Sequence, residues 1–230
     1  MKTIGMIGGM SWESSIEYYR IVNEEIKKAL GELHSAKSVM YSVDFAEIEE
    51  LQRTGRWAEA GQMMTEAALS LERGGADFLV ICTNTMHKSA PQIEAAVHIP
   101  LLHIADATAL RIQKAGLQRI GLLGTRFTME EDFYRGRLEQ KFGLEILVPE
   151  AANREMVHRV IYDELCLGIT REASRQAYRA VLQDLAQAGA EGIILGCTEI
   201  GLLVGSADSP VLLFDTTLIH AEEAVSLALE

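Results

Sequence analysis

The sequence predicts an α/β protein made of two similar, Rossmann-like halves, each with a central parallel sheet flanked by helices. Two observations support this prediction. Short apolar runs alternate with longer helix-like segments along the 230 residues, a pattern typical of parallel strands covered on both faces. The two halves also repeat each other at a nearly constant offset, which indicates two related domains rather than one.

Eight apolar runs are predicted to form strands, and the amphipathic segments between them are predicted to form helices. Prolines precede two of the strands (Pro100, Pro210), and glycines follow several helices (Gly74, Gly116), positions at which these residues commonly punctuate structure. The predicted strands cover residues 3–8, 38–45, 77–83, 100–105, 119–124, 144–148, 192–197 and 211–214. The predicted helices cover residues 13–30, 57–73, 87–96, 106–115, 129–142, 152–166, 172–188 and 218–228.

The internal repeat is visible in two pairs of segments. "KTIGMIGGMSWESSIEYYR" aligns with "QRIGLLGTRFTMEEDFYRG" at an offset of 116, with Gly8 on Gly124. "GGADFLVICTNT" aligns with "AGAEGIILGCTE" at an offset of 114, with Thr83 on Cys197. We expect the last strand and helix to cross back to the first half. The predicted domains are therefore residues 1–115 with 208–230, and residues 116–207.

Composition excludes several classes of protein. The formal charge of −12, from 21 basic and 33 acidic residues, argues against nucleic-acid binding, which needs a basic face. No run approaches the roughly 18 apolar residues of a membrane span, and the N-terminus does not resemble a signal peptide. The three cysteines are far apart, so neither a metal site nor a disulfide framework is expected. A cytoplasmic protein is the expectation.

Polar side chains follow the third and seventh predicted strands. These strand ends read "TNT" at residues 83–85 and "CTE" at residues 197–199. Ligands of open α/β sheets bind at the carboxyl ends of parallel strands, so we expect Thr83 and Cys197 on opposite sides of a cleft between the domains. Adjacent strand residues point to opposite faces. If Thr83 faces the cleft, Cys82 packs toward a helix.

The motifs "NTMH" and "GCTE", with the opening "GMIGGMSWESSIEYY", resemble the cofactor-independent aspartate/glutamate racemases, in particular the L-aspartate/glutamate-specific branch. The resemblance covers essentially the whole chain. It implies two α/β domains related by a pseudo-two-fold axis, with the active site in the interdomain cleft. It also implies a small amino-acid substrate, no cofactor, no nucleic-acid or membrane partner, and a homodimer. In that family two cysteines face opposite sides of the substrate α-carbon.

The first strand-end motif departs from the family pattern, because Thr83 stands where the first cysteine is expected. Shifting the alignment by one residue would place Cys82 at the cysteine position, but Asn84, Thr85 and His87 would then no longer match "N-T-x-H". The resemblance implies that Cys197 acts on the L-enantiomer, so L to D conversion should be faster than D to L. Thr83 either transfers a proton or only anchors the substrate. His87 supports the loop by hydrogen bonding or, alternatively, takes part in proton transfer.

The second strand-end motif contains the predicted base. Cys197 precedes "TEIGLL", whose predicted helix N-terminus should lower the pKa of the thiol. The same backbone donors, with Asn84, Thr85 and Thr198, are candidates to hold the substrate α-carboxylate. Glu199 either binds the substrate ammonium or orients Cys197; the alternative is a carboxylate that only stabilises the helix N-terminus.

Five further residues are candidate contacts. Met10 and Ser11 follow the first strand and could close over the substrate. Relatives specific for aspartate place a cation for the distal carboxylate near Gln52 and Arg53; a solvated helix face is the alternative for both. Glu164 is a candidate contact for the ammonium.

Two other functions fit part of the pattern. Related decarboxylases keep only the second-half cysteine, although "NTMH" and the N-terminal motif argue against that activity. A catalytically impaired amino-acid-binding protein is the third alternative.

Overall fold

The computed structural model describes residues 1–230, with eight strands and eleven α-helices. The strands are β1 Ile4–Gly8, β2 Ser38–Ser42, β3 Phe78–Ile81, β4 Leu101–Leu102, β5 Arg119–Gly124, β6 Glu145–Leu147, β7 Gly192–Gly196 and β8 Leu212–Asp215. The helices are α1 Trp12–Leu30, α2 Phe45–Arg53, α3 Trp57–Arg73, α4 Ala90–Glu94, α5 Ile104–Lys114, α6 Arg126–Glu130, α7 Arg135–Phe142, α8 Ala151–Asp163, α9 Glu172–Gln187, α10 Ile200–Leu203 and α11 Thr216–Leu229. Short 3₁₀ helices occupy Thr85–Ser89, Leu165–Leu167 and Ser206–Asp208.

The α/β class predicted from the apolar runs is confirmed, but several segments differ from the prediction. The strand predicted over residues 100–105 is only Leu101–Leu102, because α5 begins at Ile104, and the helix predicted over residues 87–96 begins as a 3₁₀ helix. Helix α2 forms where the sequence predicts no helix, and the Asp44 carboxylate caps it by accepting a hydrogen bond from the Ala46 N–H. The helix predicted over residues 129–142 is interrupted between α6 and α7. Helix periodicity therefore located the long helices but neither the short helices α2 and α10 nor the break between α6 and α7.

The strands form two parallel sheets of four strands each, in the orders β2-β1-β3-β4 and β6-β5-β7-β8. Ile7 is paired with Ile81 in the first sheet, and Gly124 is paired with Gly196 in the second. Because all pairs are parallel, the carboxyl ends of the strands in each sheet leave at one edge. The loops after β1 and β3 therefore share an edge, and so do the loops after β5 and β7.

The chain divides into two compact units, one of Met1–Ile104 with Thr217–Glu230 and one of Ala105–Thr216. This division differs from the predicted domain boundaries at both points, since the chain enters the second unit after Ile104 and returns to the first unit after Thr216. The strand expected to return to the first half is β8, which pairs with β7 and so belongs to the second sheet. Residues 105–115 of the predicted first domain also belong to the second unit. Only the final helix returns to the first unit.

The central strands β1 and β3 of the first sheet are buried on both faces. One face packs against α3, with Met64, Ala67 and Leu71 in that cluster. The other packs against α1 and α11, which contribute Tyr18 and Ala221 among others. Each large apolar side chain buried in this way contributes roughly 1.5–3 kcal/mol. No helix combines the length and the apolar character that crossing a bilayer requires.

Candidate active site

The end of β3 separates a core cysteine from a polar loop. Cys82 is completely buried in the apolar cluster that contains Tyr18 and Ala221, and this burial raises the pKa of its thiol. Thr83, Asn84 and Thr85 follow it as buried polar residues. The alternation along the strand thus directs Cys82 into the core, as expected if its neighbour serves the strand-end loop.

His87 holds the backbone at Thr83. Its Nδ1 lies 2.8 Å from the Thr83 carbonyl oxygen, and its Nε2 lies 3.2 Å from the Ile104 amide nitrogen, which donates to it. Since Nε2 accepts, the proton is on Nδ1 and the ring is neutral. This geometry supports the loop. It leaves neither ring nitrogen available to pass a proton to a ligand.

Two further histidines, which sequence reasoning did not assign to the site, pack around His87. The His103 ring lies 4.5 Å from that of His87, and the His220 ring lies 5.9 Å from it. His220 is hydrogen-bonded to the Tyr18 hydroxyl and the Leu102 carbonyl, both at 2.9 Å. Burial lowers the pKa of His220 to about 4. No sequence motif marks this contact, because Tyr18 and His220 are 202 positions apart.

The loop after β1 is built around Ser11. Its hydroxyl caps α1 by accepting a hydrogen bond from the Ser14 N–H, and its carbonyl accepts one from the Ser15 hydroxyl at 2.8 Å. The Ser15 hydroxyl in turn accepts from the Gly9 N–H at 2.8 Å. Met10 is buried and packs in the apolar cluster beneath. The structure therefore uses Ser11 as a helix cap and holds this loop by hydrogen bonds.

Gln52 and Arg53 point to different environments. Gln52 is buried, with its amide nitrogen 3.1 Å from the Met86 sulfur in the 3₁₀ helix after β3. The Arg53 side chain is 64% exposed and forms an ion pair with Glu49 at 3.5 Å. Of these two candidates for contacting the distal carboxylate of the substrate, only Gln52 packs against the segment that follows Thr83.

In the second unit, β7 ends at a cysteine bonded to a buried carboxylate. The Cys197 thiol donates to Glu199 Oε2 at 3.0 Å, and the Thr198 hydroxyl donates to the same oxygen at 2.8 Å. Cys197 is 7% exposed and Glu199 is 2% exposed. A Cβ at the preceding Gly196 would lie 2.8 Å from the Leu123 carbonyl, so glycine permits the close approach of β5 and β7 at this point.

The expectation of a lowered Cys197 pKa is wrong for this structure. Burial raises the pKa of the thiol well above its usual value, and the negative charge of Glu199 raises it further. The following helix, α10, contains only four residues and does not overcome these effects. The resting form of Cys197 is a neutral thiol.

Glu164 belongs to a second polar group in this unit. Its carboxylate accepts a hydrogen bond from the Ser174 hydroxyl at 2.7 Å and lies 3.5 Å from the Arg171 guanidinium. The Tyr178 hydroxyl donates to the Val157 carbonyl at 3.0 Å. Burial raises the pKa of Tyr178, and the negative forms of Cys197 and Glu164 raise it further. Tyr178 therefore lies within electrostatic reach of both, a relationship that sequence reasoning missed.

The predicted residues therefore fall in both units. In the first unit they lie in the loops after β1 and β3, and Gln52 of α2 packs against the 3₁₀ helix after β3. In the second unit, Cys197, Thr198 and Glu199 follow β7, and Glu164 lies in the separate polar group with Ser174 and Arg171. No group of three or more His, Cys, Asp or Glu side chains is arranged to hold a metal ion.

Comparison with known proteins defines the family. The model of the family described as Asp/Glu/Hydantoin racemase matches residues 7–224. The chain belongs to this family. The match spans both units, so both strand-end motifs lie within the part of the chain that the family describes.

Similar solved structures support this assignment over the full length. A proposed Asp/Glu racemase from Yersinia pestis is 58% identical, covers 100% of both chains and has a TM-score of 0.93. An aspartate racemase homologue from Pyrococcus horikoshii OT3 is 35% identical, again over 100% of both chains, with a TM-score of 0.84. The broad specificity amino-acid racemase RacX of Bacillus subtilis (strain 168) is 24% identical over 175 residues, which are 73% of this chain and 72% of RacX. The named racemases among these relatives are isomerases.

Proposed function

We propose that this racemase-family protein interconverts the enantiomers of aspartate, glutamate or both without a cofactor. Cys197 acts as the base toward the L-enantiomer, and Thr83 replaces the second cysteine. The observation that carries this proposal is the Cys197–Glu199 hydrogen bond at the end of β7. It pairs a thiol with a buried carboxylate at the edge where α/β sheets bind ligands.

The proton inventory follows from the resting state. Cys197 must release its proton to solvent before it can act as a base, and its raised pKa opposes this; this proton balances the one that water later supplies on the opposite face. A substrate ammonium near Glu199 would offset the carboxylate charge and lower the pKa of the thiol. The thiolate then removes the α-proton of the L-enantiomer and becomes a thiol again. A proton reaches the opposite face of the α-carbon through the Thr83 hydroxyl, with water as its source.

The proposal assigns the remaining polar residues to binding. The substrate α-carboxylate is bound by the amide of Asn84 and the hydroxyls of Thr85 and Thr198. The same contacts would stabilise the negative charge that develops in the transition state. Glu164 and Glu199 are the carboxylates suited to the ammonium. Met10, Ser11 and Gln52 complete the substrate contacts. His87 positions Thr83 through its carbonyl.

The two directions of the reaction should differ in rate. A threonine hydroxyl is far less acidic than a thiol, so it is scarcely ionised near neutral pH. It is therefore a poor base for the α-proton of the D-enantiomer. L to D conversion is therefore faster in initial rate than D to L. The equilibrium constant of a racemisation is one, so the asymmetry is kinetic.

The single strand-end cysteine also fits a decarboxylase of the same superfamily, which would protonate the carbanion left by loss of carbon dioxide. Proton NMR in deuterium oxide separates the two activities, with no added cofactor and with L- and D-aspartate and L- and D-glutamate supplied separately. We expect loss of the Cα–H signal from an L-form and slower loss from its D-form. Absence of exchange from all four would refute the racemase, and carbon dioxide release from a malonate would then identify the decarboxylase.

The family resemblance also supports a cytoplasmic homodimer. Analytical ultracentrifugation of the purified protein tests the dimer: a mass of twice 25.3 kDa is expected. A single species at the monomer mass would contradict it.

A further inference from the structure

A dicarboxylic amino acid needs a cation for its distal carboxylate, and the strand-end loops contain few candidates. Arg53 pairs with Glu49. Lys88 lies over the Trp57 ring at 3.9 Å. Arg126, which follows β5 in the second unit, forms no ion pair.

The backbone places Arg126 at the same edge of the second sheet as Cys197. Gly124, the last residue of β5, pairs with Gly196, the last residue of β7. Thr125 then caps α6 by accepting a hydrogen bond from the Thr128 N–H, and Arg126 is the first helical residue. Arg126 is therefore two residues beyond Gly124, as Thr198 is two residues beyond Gly196.

The Arg126 side chain is available for an anion. The residue is exposed, and its guanidinium carbon lies 5.6 Å from the centre of the Phe127 ring. Its backbone N–H donates to His158 Nδ1 at 3.2 Å. This hydrogen bond holds the main chain and does not involve the guanidinium. Burial lowers the pKa of His158, and the positive charge of Arg126 lowers it further.

We infer that Arg126 binds the distal carboxylate of the substrate and so determines selectivity for dicarboxylic amino acids. This inference rests on the proposed racemase function. The guanidinium can donate two parallel hydrogen bonds to the distal carboxylate, whereas the carboxylates of Glu164 and Glu199 in the same unit would repel that group. It also replaces Gln52 and Arg53, the sequence-based candidates for that contact.

The test compares Arg126→Gln with Arg126→Lys, using Cα–H exchange from L-aspartate and L-glutamate and from their uncharged analogues L-asparagine and L-glutamine. Arg126→Gln should raise KM for the dicarboxylates by about 10- to 100-fold, with little change in kcat, because a charged contact is lost in ground and transition states alike. Exchange from the amides should be unchanged or faster. Arg126→Lys should recover part of the loss.

Two controls make the result specific. Arg159→Gln removes the same charge from an exposed position on α8 and should leave KM unchanged. A higher His158 pKa in Arg126→Gln, measured by NMR, would show that the charge was removed from a folded protein. Wild-type exchange with an unchanged KM in Arg126→Gln would overturn this inference alone. Absence of exchange in the wild-type protein would overturn the proposed function as well.

Discussion

The Cys197 thiol and the Glu199 carboxylate share a hydrogen bond of 3.0 Å in a buried part of the second unit. A carboxylate next to a thiol stabilises the protonated sulfur and disfavours the thiolate. The structure thus holds the proposed base in its acid form until something neutralises Glu199. The pH dependence and the variant kinetics of the protein should both reflect this contact.

Replacement of Cys197 by serine should reduce Cα–H exchange from L-aspartate or L-glutamate by roughly 10²- to 10⁴-fold, the usual contribution of a positioned acid or base. Proton NMR in deuterium oxide measures this loss directly. Cys82→Ala is the matched control. It removes a core sulfur, so it should lower the free energy of unfolding by about 1 kcal/mol while exchange continues. Full activity in Cys197→Ser, or abolished activity in folded Cys82→Ala, would show that the thiol has been assigned to the wrong cysteine.

Replacement of Glu199 by glutamine should lower the pKa of Cys197, because the amide removes the negative charge that raises it. In the pH profile of kcat/KM, which reports the free enzyme, the limb that reflects deprotonation of Cys197 should therefore move to lower pH. Maximal activity should also fall if Glu199 contacts the ammonium, but the midpoint is the informative quantity. Glu172→Gln, an exposed change in the same unit, should not move it. A midpoint unchanged in Glu199→Gln would mean that this carboxylate does not control the thiol.

Replacement of Thr83 by cysteine should raise the initial rate from the D-enantiomer and bring the two directions closer together, because a thiol can become a base and a hydroxyl cannot. Circular dichroism of each enantiomer over time gives both initial rates. Thr83→Ser retains the hydroxyl and should keep the asymmetry. If Thr83→Cys left the D to L rate at the wild-type level with the fold intact, Thr83 would not occupy the position proposed for it.

His220 should make the stability of the protein depend on pH in acid. Its pKa is about 4 in the folded state against 6.5 for an ordinary histidine, so the unfolded chain binds the proton more tightly. Stability from this residue is therefore complete above pH 6.5 and is lost as pH falls toward 4, by up to about 3 kcal/mol in total. The groups that contact the ring are the Tyr18 hydroxyl, the Leu102 carbonyl and the His87 ring.

Urea unfolding between pH 4 and 7 measures the effect. His220→Gln should flatten the dependence of unfolding free energy on pH, at the cost of lower stability at neutral pH because the hydrogen bonds to Tyr18 and Leu102 are disturbed. His98→Gln is the control, since the His98 side chain is 94% exposed. Equal slopes in wild-type and His220→Gln proteins would place the acid sensitivity elsewhere.

Sequence periodicity located both sheets because β1, β3, β5 and β7 are short apolar runs with fully buried interiors. It could not assign β8, since an apolar strand carries no mark of which sheet it will join, and only its pairing with β7 decides that. The strand-end residues Thr83 and Cys197 could be identified from the motifs and the repeat. The protonation state of Cys197 could not be predicted from the sequence, because it depends on the position of the Glu199 carboxylate relative to the sulfur. Contacts such as Tyr18–His220 join distant parts of the chain and leave no local pattern.

The division of the chain has a consequence for its synthesis. The first unit contains residues 217–230, and Ala221, Ala224, Val225 and Ala228 are buried in the cluster with Ile4, Met6 and Phe78. During translation those alanines and the valine leave the ribosome after the whole of the second unit. The usual order, in which N-terminal domains fold first, is therefore reversed for the final step. A released chain that ends at residue 216 contains all four strands of the second sheet, whereas its first sheet still exposes the face that α11 covers.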